Sequence, residues 1–249
     1  MAFSRKILAW SFYDWANSAF ATTVMAGFFP VFFKQYWAAD LTVTDSTFWV
    51  GAANSAASLV GVILAPILGA IADRASAKKR FLFVFTLLGV LMTGALSMVA
   101  AGFWVLAVAV YVFGILGFSG SNVFYDALLV DVAAPRQYER VSALGYALGY
   151  LGGGILFAFD VLMTVNPHWF GLADSAEAVR LAFFSVACWW ALFAIPLFIL
   201  VPEPGVGREK GWWDAVRGGL SQLVATFHAI RDLRVTFLVL LAYWFYICL

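Results

Sequence analysis

The sequence predicts an all-α, polytopic membrane protein, and three observations lead to this fold class. Of the 249 residues, 64% are hydrophobic and only 12% are charged, whereas a soluble domain is about a quarter charged. The charged residues are concentrated between long apolar stretches. Several of these stretches reach about 20 residues, the length that an α-helix needs to cross a bilayer core.

Six stretches contain no Lys, Arg, Asp or Glu: residues 15–33, 46–72, 81–125, 141–159, 181–202 and 235–249. The third stretch has 45 residues and would measure roughly 67 Å as a single helix. A bilayer core is only about 30 Å thick, so a helical hairpin with its turn at "AAG" (100–102) is predicted. The first stretch is expected to remain as a spanning helix rather than to be cleaved as a signal peptide.

The last part of the chain is predicted to be organised differently from residues 1–201. Proline and glycine interrupt "VPEPGVGREKG" (201–211). Apolar residues then recur at helical spacing opposite charged ones, which is typical of a helix lying flat on a membrane surface. We therefore expect a six-helix bundle over 1–201, a cytoplasmic linker with an interfacial helix over 202–232, and the start of a seventh, truncated helix over 233–249.

The basic residues predict the orientation of the spans, because cytoplasmic loops carry an excess of Lys and Arg. With a cytoplasmic N-terminus, only Lys34 and Arg180 fall in outer loops. The remaining basic residues all fall on the cytoplasmic side: Arg5, Lys6, Arg74, Lys78, Lys79, Arg80, Arg136, Arg140, Arg208, Lys210, Arg217, Arg231 and Arg234. An integral, multi-pass protein with an inside N-terminus is predicted.

Small residues at a spacing of four predict close helix packing, since they let helix backbones approach each other in lipid. They occur in the second and fifth spans: Gly61, Ala65, Gly69, Gly145, Gly149 and Gly153. These positions are interpreted as structural.

The loop "GAIADRASAKKR" (69–80) resembles the signature of the major facilitator superfamily, a glycine, then Asp-Arg, then a basic cluster. Ser76 and Ala77 depart from that pattern. "APRQYER" (134–140) is similar to a Pro-x-x-x-x-Arg element that many of these transporters carry in the next cytoplasmic loop. The resemblance implies a cytoplasmic gating motif formed by Gly69, Asp73, Arg74, Lys78, Lys79 and Arg140.

Two further strings narrow the resemblance. "YDWANS" (13–18) and "NVFYDALLVDVA" (122–133) resemble the branch related to the fungal vacuolar amino-acid effluxer of autophagy. This implies secondary active transport by alternating access, with an amino-acid-like substrate, a coupling proton or cation, and no cofactor. It also implies that the chain is an N-terminal half whose C-terminal half is missing, so the fragment alone is not expected to transport. A bacterial inner membrane is the expected location.

Polar residues form a ladder on each of two spans, and they are the candidate substrate or ion pathway. Residues spaced i, i+3 and i+4 or i+7 share one helix face, and a mid-membrane aspartate costs about 2.5–3.5 kcal/mol. The resemblance implies that spans one and four line a central cavity, where a carboxylate could bind an ammonium group or a coupling proton. The candidate residues are Asp14, Asn17, Ser18, Ser119, Asn122, Tyr125 and Asp126, with Tyr13 as a further hydroxyl donor.

A structural role for these acids stays open, in which Asp14 and Asp126 pair with Arg74, Arg136 or Arg140. Other intramembrane polar groups are interpreted as structural. Asp131 is expected to pair with the loop arginines, Asp160 to reach water near the outer surface, and Asn54 to form an interhelical hydrogen bond.

Other functions are kept as alternatives. A sugar or drug exporter of the same superfamily is the main one, followed by a non-transporting membrane scaffold and an intramembrane aspartyl enzyme. No catalytic residue, metal site or nucleic-acid partner is predicted. His168 and His228 lack further ligands at metal-binding spacing, and Cys188 and Cys248 lie in apolar stretches.

Overall fold

A computed structural model of the chain describes residues 3–75 and 77–203, together with the isolated positions 221, 238 and 239. For residues 62, 66 and 70–75 it describes the backbone alone. Almost all of the predicted linker (202–232) and the predicted seventh helix (233–249) therefore lie outside the described residues.

The described part of the chain contains six helices that are long and apolar enough to cross a membrane, and no strands. This confirms the prediction of an all-α polytopic membrane protein. In chain order the helices are α1 (Arg5–Trp37), α2 (Val43–Ala75), α3 (Lys78–Leu96), α4 (Trp104–Val132), α5 (Tyr138–Val165) and α6 (Ser175–Leu200).

Local sequence signals set several of the helix ends. The Ser4 hydroxyl accepts a hydrogen bond from the Ile7 amide at the start of α1, and the Asp174 carboxylate caps α6, as expected for N-cap residues. The predicted hairpin between α3 and α4 is confirmed, and Gly102 takes a positive φ of 81° in its turn, a conformation that glycine adopts without strain.

Short connections make consecutive helices antiparallel, so the bundle has two distinct ends. We call the end where α1, α3 and α5 begin the basic end, because it carries the basic residues of the predicted cytoplasmic loops. The other end is called the opposite end. α1 packs against α5 and α6, α3 against α4 and α6, and α2 chiefly against α4.

Helix α1 lies at the centre of the bundle. In its most apolar stretch of 18 residues, 50% of the residues are buried, compared with 19–33% in the corresponding stretches of the other five helices. Its aromatic residues fill the core: the Phe29 ring stacks on Tyr111 at 3.6 Å, and Trp37 stacks on Phe183 at 5.7 Å. Its beginning is also partly enclosed by protein, because polar residues such as Ser11 and Asn17 are buried there.

The second part of α1 is wound more widely than a regular α-helix. Over Phe20–Phe28 and Phe33–Trp37 the turns are of the π type, and the Phe29 amide bonds to the Val24 carbonyl five residues earlier. Such turns shift the faces of a helix relative to the 3.6-residue period. The polar ladder of α1 lies before these turns, in the regular part Arg5–Ala19. Its residues therefore share one helix face, as their spacing predicts.

The predicted close packing of the glycines in α2 is wrong for the described residues. A Cβ atom added at Gly61 or at Gly69 would meet no atom within 4 Å. Small residues at this spacing permit close approach but do not supply a partner helix.

Candidate functional site

A small polar pocket lies at the basic end between α1, α4 and α5. Its volume is about 130 Å³. The lining residues are Trp10, Asp14, Asn122, Tyr125, Asp126, Ser142 and Tyr146. The structure therefore brings together the two aspartates that the sequence placed on separate spans.

The two polar ladders meet directly. The Asn17 side-chain amide on α1 donates a hydrogen bond to Asn122 Oδ1 on α4, with a nitrogen–oxygen distance of 2.5 Å. Ser18 does not line the pocket, but its hydroxyl donates to Asp14 Oδ1 at 3.4 Å. Asn17 is buried, so this contact fixes α1 against α4 from within the protein.

One wall of the pocket is aromatic. The Trp10 and Tyr125 rings stack at 4.2 Å, and Trp10 Nε1 donates to the Tyr125 carbonyl at 2.9 Å. The Tyr125 hydroxyl is buried and has no hydrogen-bond partner among the described residues. Tyr13 differs from the sequence-based expectation, because its hydroxyl is fully buried and bonds to Thr86 on α3 at 2.6 Å.

Glycines on α5 leave the space that the polar groups of α1 occupy. A Cβ atom at Gly145 would lie 3.0 Å from the Tyr125 hydroxyl and 3.3 Å from Asp14 Oδ2. At Gly149 it would lie 2.6 Å from the Ser18 hydroxyl. The sequence interpretation assigned these glycines to packing alone and so missed their part in the pocket.

Ser142 and Tyr146 were also missed. They lie on α5 in the same turns as Gly145 and Gly149, and Tyr146 is 66% exposed. The only available signal was their position beside those glycines, since neither residue type is unusual in a spanning helix.

Ser119 is not brought into this pocket. It lines a separate apolar cavity of about 420 Å³ between α2, α3 and α4, together with Leu64 and Phe113. The predicted ladder of α4 therefore divides: Asn122 and Asp126 face the polar pocket, and Ser119 contributes to the apolar cavity.

The pocket has a negative electrostatic character. Asp14 is half-buried and Asp126 is exposed, and no Lys or Arg among the described side chains lines the pocket. In the described part of the chain neither aspartate forms an ion pair with Arg136 or Arg140. Two carboxylates without a cation attract a positively charged ligand group.

The residues of the predicted gating motif tie helix ends together at the basic end. Lys78 Nζ lies 3.2 Å from Asp131 Oδ2, which joins α3 to α4. The Lys79 backbone amide donates to Glu203 and its Nζ to the Val201 carbonyl, which joins α3 to the end of α6. Asp131 is thus a charge partner as predicted, but its partner is Lys78 rather than a loop arginine.

The other motif residues are placed less fully. Gly69 lies within α2, and Arg140 is exposed in the first turn of α5. Asp73 and Arg74 lie in the helical backbone at the end of α2, and their side chains are outside the described part.

Two further polar predictions have different outcomes. The interhelical bond of Asn54 is confirmed, because the Tyr111 hydroxyl donates to its Oδ1 at 3.0 Å. The expectation that Asp160 reaches water is wrong, because its exposure is 0% and the Ser185 hydroxyl is its partner. Among the described residues no group of three or more His, Cys, Asp or Glu could hold a metal ion.

Six long apolar helices, three of which line a polar pocket, define a multi-pass integral membrane protein. Residues 41–248 match the family model described as "Vacuole effluxer Atg22 like". The chain therefore belongs to the Atg22-like family, which confirms the resemblance recognised in the sequence.

Curated relatives agree with this assignment. The chain is 36% identical over 247 residues, 98% of its length, to "Uncharacterized MFS-type transporter YxiO" of Bacillus subtilis (strain 168), of which it covers 57%. It is 24% identical over 204 residues, 82% of the chain, to an "Uncharacterized protein" of Aquifex aeolicus, of which it covers 47%. It is also 30% identical over 115 residues to "Autophagy-related protein 22-1" of Aspergillus niger, a match that covers 43% of this chain and 17% of that protein. The chain thus spans about half the length of the first two relatives. No solved structure matches it.

Proposed function

We propose that the protein is a secondary active transporter of the major facilitator type that moves amino acids or similar small solutes. Family membership supports transport as the general activity. The observation that carries the choice of solute is the pocket between α1, α4 and α5, where two carboxylates meet without a basic side chain among the described residues.

The chemistry of the pocket suits an ammonium group. An ammonium has three hydrogen-bond donors and no acceptor, and the Asp14 and Asp126 carboxylates offer only acceptors when ionised. The stacked rings of Trp10 and Tyr125 add aromatic faces, which attract cations. The unpartnered hydroxyl of Tyr125 is available to bond with a solute atom.

The size of the pocket indicates that it holds the head group of a solute rather than the whole molecule. Its volume of about 130 Å³ is below the roughly 300–1,000 Å³ of complete ligand pockets. Asp126 and Tyr146 are exposed on its open side, so the rest of the solute would extend there. We propose that the second half of a two-half transporter covers this side, as in alternating access.

The placement in the membrane follows from the same proposal. The basic end would face the cytoplasm of a bacterial cell, with the gating motif on that side. Reporter tags in the 38–42 loop and in the 133–137 loop test this orientation. We expect only the 38–42 tag to be reached from outside the cell, and labelling of the 133–137 tag alone would reverse the orientation.

The experiment that tests the solute is counterflow in proteoliposomes containing the full-length protein. Vesicles loaded with one unlabelled amino acid at a time are diluted into the labelled compound, and a panel of sugars and cationic drugs follows. We expect amino-acid exchange that Asp126→Asn and Asp14→Asn reduce at least tenfold. Asp40→Asn is the matched control, since Asp40 is an exposed acid in the loop after α1.

Each other outcome identifies an alternative function. Exchange of sugars or drugs without amino acids would favour an exporter of another solute class. Absence of exchange for the whole panel would favour the scaffold. Equal exchange by wild type and both pocket variants would show that the aspartates are structural.

A further inference from the structure

Asp160 is a carboxylic acid sealed inside the membrane part of the bundle, away from the polar pocket. Its exposure is 0%. It lies near the opposite end of α5, 15 residues after Gly145, which is about 22 Å along the helix axis. Its neighbours on α5 and α6 include the buried apolar residues Met163 and Ala182. Placing an aspartate in such surroundings costs free energy, and ionisable residues inside membrane helices usually have a function.

Among the described residues, no helix packed against Asp160 supplies a basic side chain that pairs with it. On α6 the facing polar group is Ser185. Arg180, farther along the same helix, donates instead to the Ser97 carbonyl, and Glu177 bonds to the Ala173 amide. On α1 the charged residue closest to the opposite end is Lys34, which is exposed. Without a basic partner, a buried carboxylate loses its charge by binding a proton.

The hydrogen bonds around Ser185 accommodate both protonation states of Asp160. The Ser185 hydroxyl lies 3.0 and 3.2 Å from the two carboxylate oxygens and 2.8 Å from the Ala182 carbonyl. When Asp160 is ionised, this hydroxyl donates to the carboxylate. When a proton binds to a carboxylate oxygen, the new O–H donates to Ser185, whose hydroxyl rotates and donates to Ala182.

A cavity lies beside this site, toward the opposite end of the bundle. It has a volume of about 450 Å³ and lies between α1, α5 and α6. Phe157 and Thr164 line it, and these residues flank Asp160 on the same face of α5 at i−3 and i+4. Gln35 and Ser175 lie at the rim and are exposed. The cavity thus reaches the residues on either side of Asp160 along α5, although Asp160 itself does not line it.

Hydroxyl groups also lie between Asp160 and the polar pocket. Ser18 and Thr22 follow Asp14 at intervals of four on α1, and the Thr22 hydroxyl donates to the Ser18 carbonyl at 3.0 Å. Both face glycines of α5: a Cβ at Gly149 would meet Ser18, and one at Gly153 would meet Thr22. The contact between α1 and α5 is thus polar for much of its length.

We infer that Asp160, with Ser185, is a proton-binding site that couples transport to a proton gradient, separate from the solute pocket at Asp14 and Asp126. The proton enters from the opposite end, binds to a carboxylate oxygen, and leaves the same oxygen when the transporter changes state. The coupling role rests on the proposed function. The proton site itself does not.

Infrared difference spectroscopy on the purified full-length protein tests the proton site without any substrate. We expect a carbonyl band of a protonated carboxyl that disappears at high pH, is absent in Asp160→Asn and persists in the control Asp126→Asn. Ser185→Ala should shift the band, because it removes the bonded hydroxyl, and it provides a second test if Asp160→Asn does not fold. A band that does not titrate, a missing band, or a band unaffected by Ser185→Ala would overturn the assignment.

Proteoliposomes test the coupling. In Asp160→Asn the side-chain amide can still bond to the Ser185 hydroxyl but cannot bind or release a proton. We therefore expect this variant to exchange amino acids at the wild-type rate. Accumulation driven by an imposed pH gradient should fall to the level without a gradient. Loss of exchange as well, or unchanged accumulation, would overturn the coupling role. A titrating Asp160 band in a protein that carries no amino acid would refute the proposed substrate alone.

Discussion

The contact between α1 and α5 and the contact between α3 and α4 are both built around glycines, but they differ in what meets the glycine. At Gly117 on α4, an added Cβ would clash with the Gly89 nitrogen on α3 and would lie 2.6 Å from the Gly89 Cα. At Gly145 and Gly149 on α5, it would instead meet the side chains of Asp14, Ser18 and Tyr125. The first contact brings two backbones together, and the second makes room for polar groups.

This difference shows what a glycine pattern in a membrane helix can indicate. Small residues allow close approach, but the partner helix decides whether the approach serves packing or chemistry. In the α3–α4 contact the nearest atoms to a Cβ at Gly117 are backbone atoms of α3, so we expect this glycine to act on stability. The α1–α5 contact includes the Asp14 carboxylate, so we expect its glycines to act on binding. Four substitutions, all made in the full-length protein, separate these roles.

Gly117→Ala should have the largest effect on stability. The new methyl group would press on the backbone of α3, which cannot move aside as a flexible side chain can. We expect destabilisation of about 3 kcal/mol, at the upper end of usual overpacking costs, measured by unfolding in detergent. Gly154→Ala is the control, because its Cβ would meet no atom within 4 Å and alanine favours helix by up to about 1 kcal/mol. Equal stability of the two variants would show that α3 and α4 do not cross so closely.

Gly145→Ala should reduce solute binding more than stability. The methyl group would lie at 3.0–3.3 Å from the Tyr125 hydroxyl, the Trp10 ring and Asp14 Oδ2, so these groups must shift by a few tenths of an ångström. We expect roughly tenfold weaker exchange, which corresponds to about 1.4 kcal/mol. Gly154→Ala on the same helix should exchange normally. A large loss of stability without a change in binding would return Gly145 to a packing role.

Tyr125→Phe should weaken binding by about 1 kcal/mol if its hydroxyl bonds to the solute, the usual net value of a hydrogen bond. The hydroxyl has no partner among the described residues, so the fold should lose no stability. The ring, which stacks on Trp10, remains. Exchange assays and unfolding of the same preparation measure both quantities, and a destabilised protein with normal exchange would contradict this assignment.

Asn122→Ala should have a small effect on stability. It removes the bond from Asn17 that joins the ladders of α1 and α4, and interhelical hydrogen bonds in membranes average about 0.6 kcal/mol. Asn54→Ala is a matched control, since it removes the bond from Tyr111 outside the pocket. We expect similar small losses of stability but weaker exchange only for Asn122→Ala. Weaker exchange in both variants would indicate a general effect of helix packing.

Much of the fold and part of the site were predictable from sequence. The hairpin over 81–125 followed from length alone, because one helix of that span exceeds a bilayer. The polar ladders that contain Asn17 and Asn122 followed from two helical spacings, but their direct contact is seen only in the structure. Ser142 and Tyr146 could not be predicted. The part of α5 that lines the pocket carries no charged or amide side chain there, and serine and tyrosine are common in spanning helices.

The acids illustrate the limit of sequence reasoning. Asp126 and Asp160 both lie within apolar helices. Asp126 was expected to face a cavity, and Asp160 to reach water near the outer surface. The structure leaves Asp126 exposed beside a pocket but seals Asp160 against α6. Position along a helix gives depth, whereas exposure depends on which neighbouring helix covers that face.

The sequence by itself determined the fold class, the number of spans in residues 1–201 and the face of each helix that carries polar groups. These properties are local, because they depend on apolar length and on the helical period. The tertiary structure decided which polar faces meet, which acid is sealed, and which glycines adjoin a carboxylate. Those properties depend on helix neighbours, and contacts between residues more than a hundred positions apart leave no local pattern in the chain.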